Sequence, residues 1–114
     1  LVDPDQLRQG VENLVRNAIE ATPAGGTVHV SAASSAEEHV IEVRDTGTGI
    51  DPEHMGRLFD LYFTTKANGT GVGLAVTQQI VTAHGGTIEV TSAPGKGTSM
   101  TIRLPVAAVE AVNG

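Results

Sequence analysis

The sequence predicts an α/β fold of the α+β kind, on three observations. Two stretches carry apolar residues at helical spacing, four short runs alternate apolar with polar and pair off as two hairpins, and one long glycine-rich connection lies between. A chain of 114 residues suits a single domain. Its 39% apolar content, with only 3% aromatic, predicts a core of Val, Ile, Leu and Ala rather than stacked rings.

The first helix begins with Asp3 as N-cap, Pro4 at the first helical position and Gln6 in a capping-box-like place. It runs to about Ala21, with Leu7, Val11, Leu14, Val15, Ala18 and Ile19 on one face. Pro23-Ala24-Gly25-Gly26 ends it. Alternating runs from Thr27 to Ala33 and from His39 to Asp45, joined by Ser34 to Glu38, read as a hairpin. From Gly47 to Gly73 periodicity gives way to glycine, short polar stretches and Phe59, Tyr62 and Phe63, with room for one short helix from about Pro52 to Leu58. Connections this long in small domains are usually functional or mobile. A second helix, from about Gly71 to His84, carries Val72, Val76, Ile80 and Val81 and stops at Gly85-Gly86. Runs from Thr87 to Thr91 and Thr98 to Leu104, around Pro94-Gly95-Lys96-Gly97, form a second hairpin. The expected division is a domain over 1–105 and a short flexible tail over 106–114.

Charge narrows the function. Seven Lys and Arg against 13 Asp and Glu give a net charge of −6, without a basic run, so a nucleic-acid partner is not expected. Cysteine is absent, which removes disulfides and thiolate zinc sites and suits a reducing cytosol. Neither an apolar stretch of about 18 residues nor a signal-peptide start is present. The chain opens on Leu1 and reads straight into a helix cap, as expected of a domain excised from a longer protein.

Three groups of residues carry candidate chemistry. On the first helix Gln6, Asn13, Arg16, Asn17 and Glu20 share one polar stripe opposite the apolar face. That stripe is either a solvated face or, through its two amides, a site for a hard cation and phosphate, because an amide oxygen suits Mg²⁺. In the strand ending at Asp45, alternation puts Asp45 on the inward face with Ile41 and Val43. Thr98 likewise shares its face with Met100, Ile102 and Leu104. Buried carboxylates need donors, so the pair marks either strand ends or a ligand presenting an amino group beside an acceptor nitrogen. Finally, Asp45-Thr46-Gly47-Thr48-Gly49-Ile50 and Gly69-Thr70-Gly71-Val72-Gly73-Leu74 are glycine runs, the second opening a helix whose free N–H groups can receive phosphate. Neither run fits the P-loop, dinucleotide or eukaryotic-type kinase patterns.

In this order the motifs resemble the ATP-binding catalytic domain of bacterial sensor histidine kinases, within the wider family of histidine-kinase, gyrase, heat-shock-protein-90 and mismatch-repair ATPases. Asn13-Leu14-Val15-Arg16-Asn17-Ala18 matches the N box, Asp45 to Ile50 the first glycine box and Leu58 to Lys66 the F box. Gly69 to Leu74 matches the second glycine box, and Gly95-Lys96-Gly97-Thr98 the closing glycine motif. Val81-Thr82-Ala83-His84-Gly85-Gly86-Thr87 is also typical of the family. The likeness covers about Leu7 to Pro105.

That resemblance implies a Bergerat-type two-layer sandwich: a mixed, mostly antiparallel sheet of about five strands with about three helices on one face. It also implies ATP and Mg²⁺. Asp45 would take the adenine amino group, Thr98 a nearby adenine contact, and Gly47, Gly49 and Ile50 would shape that pocket. Asn17 would be the Mg²⁺ ligand, with Asn13 beside the phosphates. Thr70, Gly71, Val72, Gly73 and Leu74 would bring backbone to the phosphates, and Lys66 would reach them as a point charge. A lid would lie between Asp51 and Thr70, anchored by Phe59, Tyr62 and Phe63. The F box departs from its usual Glu-Pro at Asp60-Leu61-Tyr62.

Implied partners are the His-bearing dimerisation helices of a parent kinase and, indirectly, a response regulator, in the cytoplasm, without direct membrane contact. The isolated domain is expected to be a monomer. None of His29, His39, His54 and His84 sits in a phosphoacceptor motif, so the accepting His is expected outside this chain and no catalytic residue is assigned within it. Competing readings are a free-standing ATPase or anti-sigma-type serine kinase, and a nucleotide-sensing scaffold. Gyrase-like and anti-sigma branches usually place a catalytic Glu where this chain has Asn13, which favours the kinase.

Overall fold

A computed structural model describes residues 4–60 and 73–105. Asp3, Tyr62, Phe63, Lys66, Thr70, Gly71, Val72 and the expected tail over 106–114 lie outside the described residues.

Helix α1 spans Pro4–Ala21, ending where the sequence predicts. Leu14 and Ala18 are buried, and Leu7, Val11 and Val15 pack half-buried beside them. Ile19, expected on the same face, is 59% exposed, because it lies at the margin of the apolar stripe and meets no full cover there. Thr22 closes α1, its hydroxyl donating to the Ala18 carbonyl at 2.7 Å.

The hairpins form as β1 (Val28–Ser34) with β2 (Glu38–Asp45), and β3 (Thr87–Ser92) with β4 (Thr98–Pro105). The strands join in the order β1-β2-β4-β3, antiparallel throughout. The described residues thus hold four strands, against about five expected in a mixed sheet, because they are the four runs in which the side-chain period is two. One strand end moves the reading of the site: β3 continues to Ser92 instead of stopping at Thr91.

Helix α2 is the single turn Pro52–Met55, shorter than the expected stretch to Leu58, and Asp51 caps it by accepting from the Glu53 N–H at 2.9 Å. Gly56 follows immediately, and helix extension past glycine is unfavourable. Helix α3 spans Gly73–Ala83. It ends in a Schellman motif, with Gly86 N–H on Val81 O at 2.9 Å, Gly85 N–H on Thr82 O at 3.0 Å and Gly85 at φ 75°. His84 is buried there, its Nδ1 2.6 Å from Ile80 O.

Helices α1 and α3 pack on each other and on one face of the sheet, α1 over β2 and β1, α3 over β3. Leu14, Ala18, Val81, Val43, Met100, Ile102 and Leu104 form the core between the layers. This is the two-layer sandwich that the resemblance implies. Among the described residues no helix is long and apolar enough to cross a membrane.

Candidate functional site

Two groups of polar side chains meet the hydrophobic layer from above. The first stands at one end of the central strands, where Asp45 on β2 is the register partner of Thr98 on β4. They are 6% and 7% exposed, and both face inward as strand alternation predicts. Asp45 Oδ1 accepts from the Gly47 N–H at 2.8 Å, which leaves its second oxygen for another donor.

The glycine loop after Asp45 is held on two sides. Thr48 donates its N–H to Ala21 O at the end of α1, 3.2 Å away, and accepts at its own carbonyl from Gly95 N–H at 2.8 Å. Backbone runs so close here that side chains do not fit. A Cβ on Gly97, at φ +79°, would lie 2.1 Å from Asp45 O, and one on Gly49, at φ +76°, 2.0 Å from Ala93 O. Both positions need glycine for conformation as well as for space.

Ser92 ties these pieces together. Its hydroxyl donates to Gly97 O at 2.9 Å and accepts the Ile50 N–H at 2.8 Å. Since its one proton goes to Gly97, the 2.9 Å contact with Thr98 Oγ1 is donated by Thr98. Sequence reasoning missed Ser92. The signal was available, because it follows Ile88 and Val90 on the inward face and repeats the polar strand-end pattern noted for Asp45 and Thr98.

The second group lies between the helices. Gly10 and Thr77 meet, as do Asn13 and Gly73, so α1 and α3 run antiparallel and Asn17 lies beyond the first turn of α3. Asn13 Nδ2 donates to Gly73 O at 3.3 Å and to Thr77 Oγ1 at 3.4 Å. Thr77 is 0% exposed and donates to Gly73 O at 2.8 Å, with Gly10 O a longer alternative at 3.4 Å. Asn17, Gly73, Leu74 and Ile50 are half-buried.

The structure therefore brings together Asp45, Gly47, Gly49, Ile50 and Thr98 at the sheet end, and Asn13 with Gly73 at the helix pair, where Leu74 follows Gly73 on α3 and Asn17 stands one turn further along α1. Helix α1 is common to both. Lys66, Thr70, Gly71 and Val72 are not among the described residues. No group of three or more His, Cys, Asp or Glu able to hold a metal ion occurs among the described residues. The donors at the helix pair are neutral amides, which fit Mg²⁺, a hard cation that takes most of its oxygens from phosphate and water.

At the far end of the sheet, a shallow cavity between Glu38, Gly86 and Arg103 is a weaker candidate. Arg103 is already bonded to Glu89 at 3.1 Å and Glu38 at 2.8 Å. The Glu89 bond first, then that of Glu38, raise its pKa above the ordinary guanidinium value, so its charge is committed within the sheet.

Comparison with known proteins identifies the family and matches the fold. The model of the family described as "Histidine kinase-, DNA gyrase B-, and HSP90-like ATPase" matches residues 2–108. The sensor histidine kinase ZraS of Salmonella typhimurium is 51% identical over 107 residues, covering 93% of this chain and 23% of that protein. The chain thus spans a quarter or less of the length of these curated relatives. Among solved structures, the mycobacterial sensor histidine kinase MprB has a TM-score of 0.83 at 31% identity, covering 92% of this chain and 75% of that one. The catalytic domain of the histidine kinase ThkA, in a nucleotide-free form, has a TM-score of 0.81 at 30% identity, covering 91% and 69%.

Proposed function

Because this chain belongs to the histidine kinase-, DNA gyrase B- and HSP90-like ATPase family, we propose that it is the ATP-binding catalytic domain of a two-component sensor histidine kinase. It binds Mg-ATP and donates the γ-phosphate to a His on a dimerisation domain outside this sequence. The observation that carries the reading is the buried Asp45–Thr98 pair, whose carboxylate has one oxygen held by Gly47 and the other available to an adenine amino group.

Each residue then has a task. Asp45 accepts from the adenine amino group, Thr98 contributes a neighbouring adenine contact, and Gly47, Gly49 and Ile50 form the rim of that pocket. Asn17 supplies an amide oxygen for Mg²⁺, and Asn13 stands beside the phosphates. Gly73 and Leu74 offer backbone at the start of α3, where helix N–H groups favour an anion, and the preceding Thr70, Gly71 and Val72 of the same glycine run would add theirs. Lys66 adds a point charge. Mg²⁺, when bound, neutralises phosphate charge. The chain's own contribution is positioning, which phosphoryl transfer chiefly requires. No general base is assigned within the chain.

Residues 1–105 form the domain in this reading, and 106–114 a tail. Phe59, Tyr62 and Phe63 anchor a lid between Asp51 and Thr70, or contact the His-bearing helices. A response regulator receives the phosphate from that His, the parent kinase works in the cytoplasm, and the isolated domain is a monomer.

Calorimetric titration with ADP and ATP, with and without Mg²⁺ and with GTP as control, tests the proposal. Adenine-selective binding strengthened by Mg²⁺ is the expected result, and no binding at millimolar nucleotide would overturn it. GTP binding as tight as ATP would remove Asp45 from its role. Since Asn13 is neutral, it cannot act as a base that activates water. The chain alone is therefore expected to hydrolyse almost no ATP, and rapid phosphate release would favour the free-standing ATPase instead.

A further inference from the structure

We infer that Thr77 is a positioning residue for the phosphate end of the site: its buried hydroxyl fixes which end of the Asn13 amide faces the Mg²⁺–phosphate group. The inference rests on the proposed nucleotide-binding function and deepens it.

The argument is a count of protons. Thr77 is fully buried in α3, and its one hydroxyl proton goes to Gly73 O, its shortest contact at 2.8 Å. Toward Asn13 the hydroxyl oxygen therefore has only lone pairs to offer. A backbone carbonyl accepts and never donates, so Gly73 O, 3.3 Å from the Asn13 amide, also demands an N–H. Both acceptors select the same orientation of the amide, with Nδ2 toward α3. Turning it over would set Oδ1 against a carbonyl oxygen. Asn13 Oδ1 is left as the end of the amide not engaged with α3, and an oxygen is what a hard cation or its bound water requires.

Without the hydroxyl, one of the two constraints on the amide is gone. A valine at 77 keeps the volume and removes the acceptor, whereas serine keeps the acceptor. The expected effect is confined to the metal-dependent part of binding. In T77V the gain in ADP affinity on adding Mg²⁺ shrinks about fivefold, the effect of one hydrogen bond, and T77S restores it. In a chain already carrying N13A, T77V makes no further change to that gain.

An equal Mg²⁺ gain in T77V and in the unaltered chain overturns the inference, as does a further loss on the N13A background. A second measurement needs no variant. The Asn13 side-chain amide protons of the unaltered chain are expected to exchange more slowly with solvent by NMR than those of an exposed asparagine, and equal exchange overturns the inference as well. Failure of the functional reading looks different. There the unaltered chain itself shows no ADP binding, or no gain from Mg²⁺, while the Asn13 amide remains protected.

Discussion

The two ends of the site are built from different materials. At the sheet end, Asp45 holds the Gly47 N–H and Ser92 the Ile50 N–H, each at 2.8 Å, and the loops before Ile50 and before Thr98 interlock so closely that two glycines have no room for a Cβ. At the helix pair, Asn13 reaches α3 through contacts of 3.3 and 3.4 Å, made by side chains. A pocket made of backbone is set before any ligand arrives, and its accuracy costs nothing at the moment of binding. Longer contacts between side chain and neighbouring helix hold their groups less tightly. Under the proposed function, recognition of a base would belong to the stiff end and response to metal and phosphate to the adjustable one.

That contrast can be broken most severely at Gly97. An alanine there meets Asp45 O and also demands a strained φ, so G97A is expected to destabilise the fold by more than about 3 kcal/mol. Chemical denaturation measures it, and a loss within about 0.5 kcal/mol would show that the loops yield. Next in size is D45N. It keeps an acceptor for Gly47 N–H but turns the other end of the group into a donor. We expect at least a hundredfold loss of ADP affinity, about 2.7 kcal/mol, with thermal melting of the ligand-free chain nearly unchanged. Retained affinity would mean that Asp45 does not meet the base. The smallest effect is expected at Ser92. Its replacement by alanine leaves the Ile50 N–H without its partner, for about 1–2 kcal/mol of stability, and weakens ADP binding less than D45N does. If S92A matched D45N in binding and left stability intact, Ser92 would itself touch the ligand.

Much of the stiff end was legible in the sequence because sheets advertise their faces by a period of two. Asp45 and Thr98 break their strands' apolar alternation, and the structure finds both buried and paired in register. Ser92 escaped only because β3 was expected to stop one residue early, and a strand end has no sharp sequence mark. The helix pair was less legible. Asn13 and Asn17 stand out as a polar stripe, but a stripe is equally consistent with a solvated face. Thr77 gives no outward sign, because a hydroxyl inside an apolar helix face reads as a small filler, and its partners Gly10 and Asn13 lie on a different helix. Ile19 shows the opposite error, since helical spacing says which way a residue points and not how far its cover extends.

The strand order also bears on how the protein is made. Since β2 has β4 and not β3 beside it, Asp45 waits for Thr98, near the end of the domain, before its half of the site exists. Asn13 waits likewise for Gly73 and Thr77, 60 and 64 residues further along. Loop closure of that span must precede any reward from the contacts it makes. On a ribosome, then, the Asp45–Thr98 pair, to which the proposed function assigns the adenine, is incomplete until β4 has left the exit tunnel.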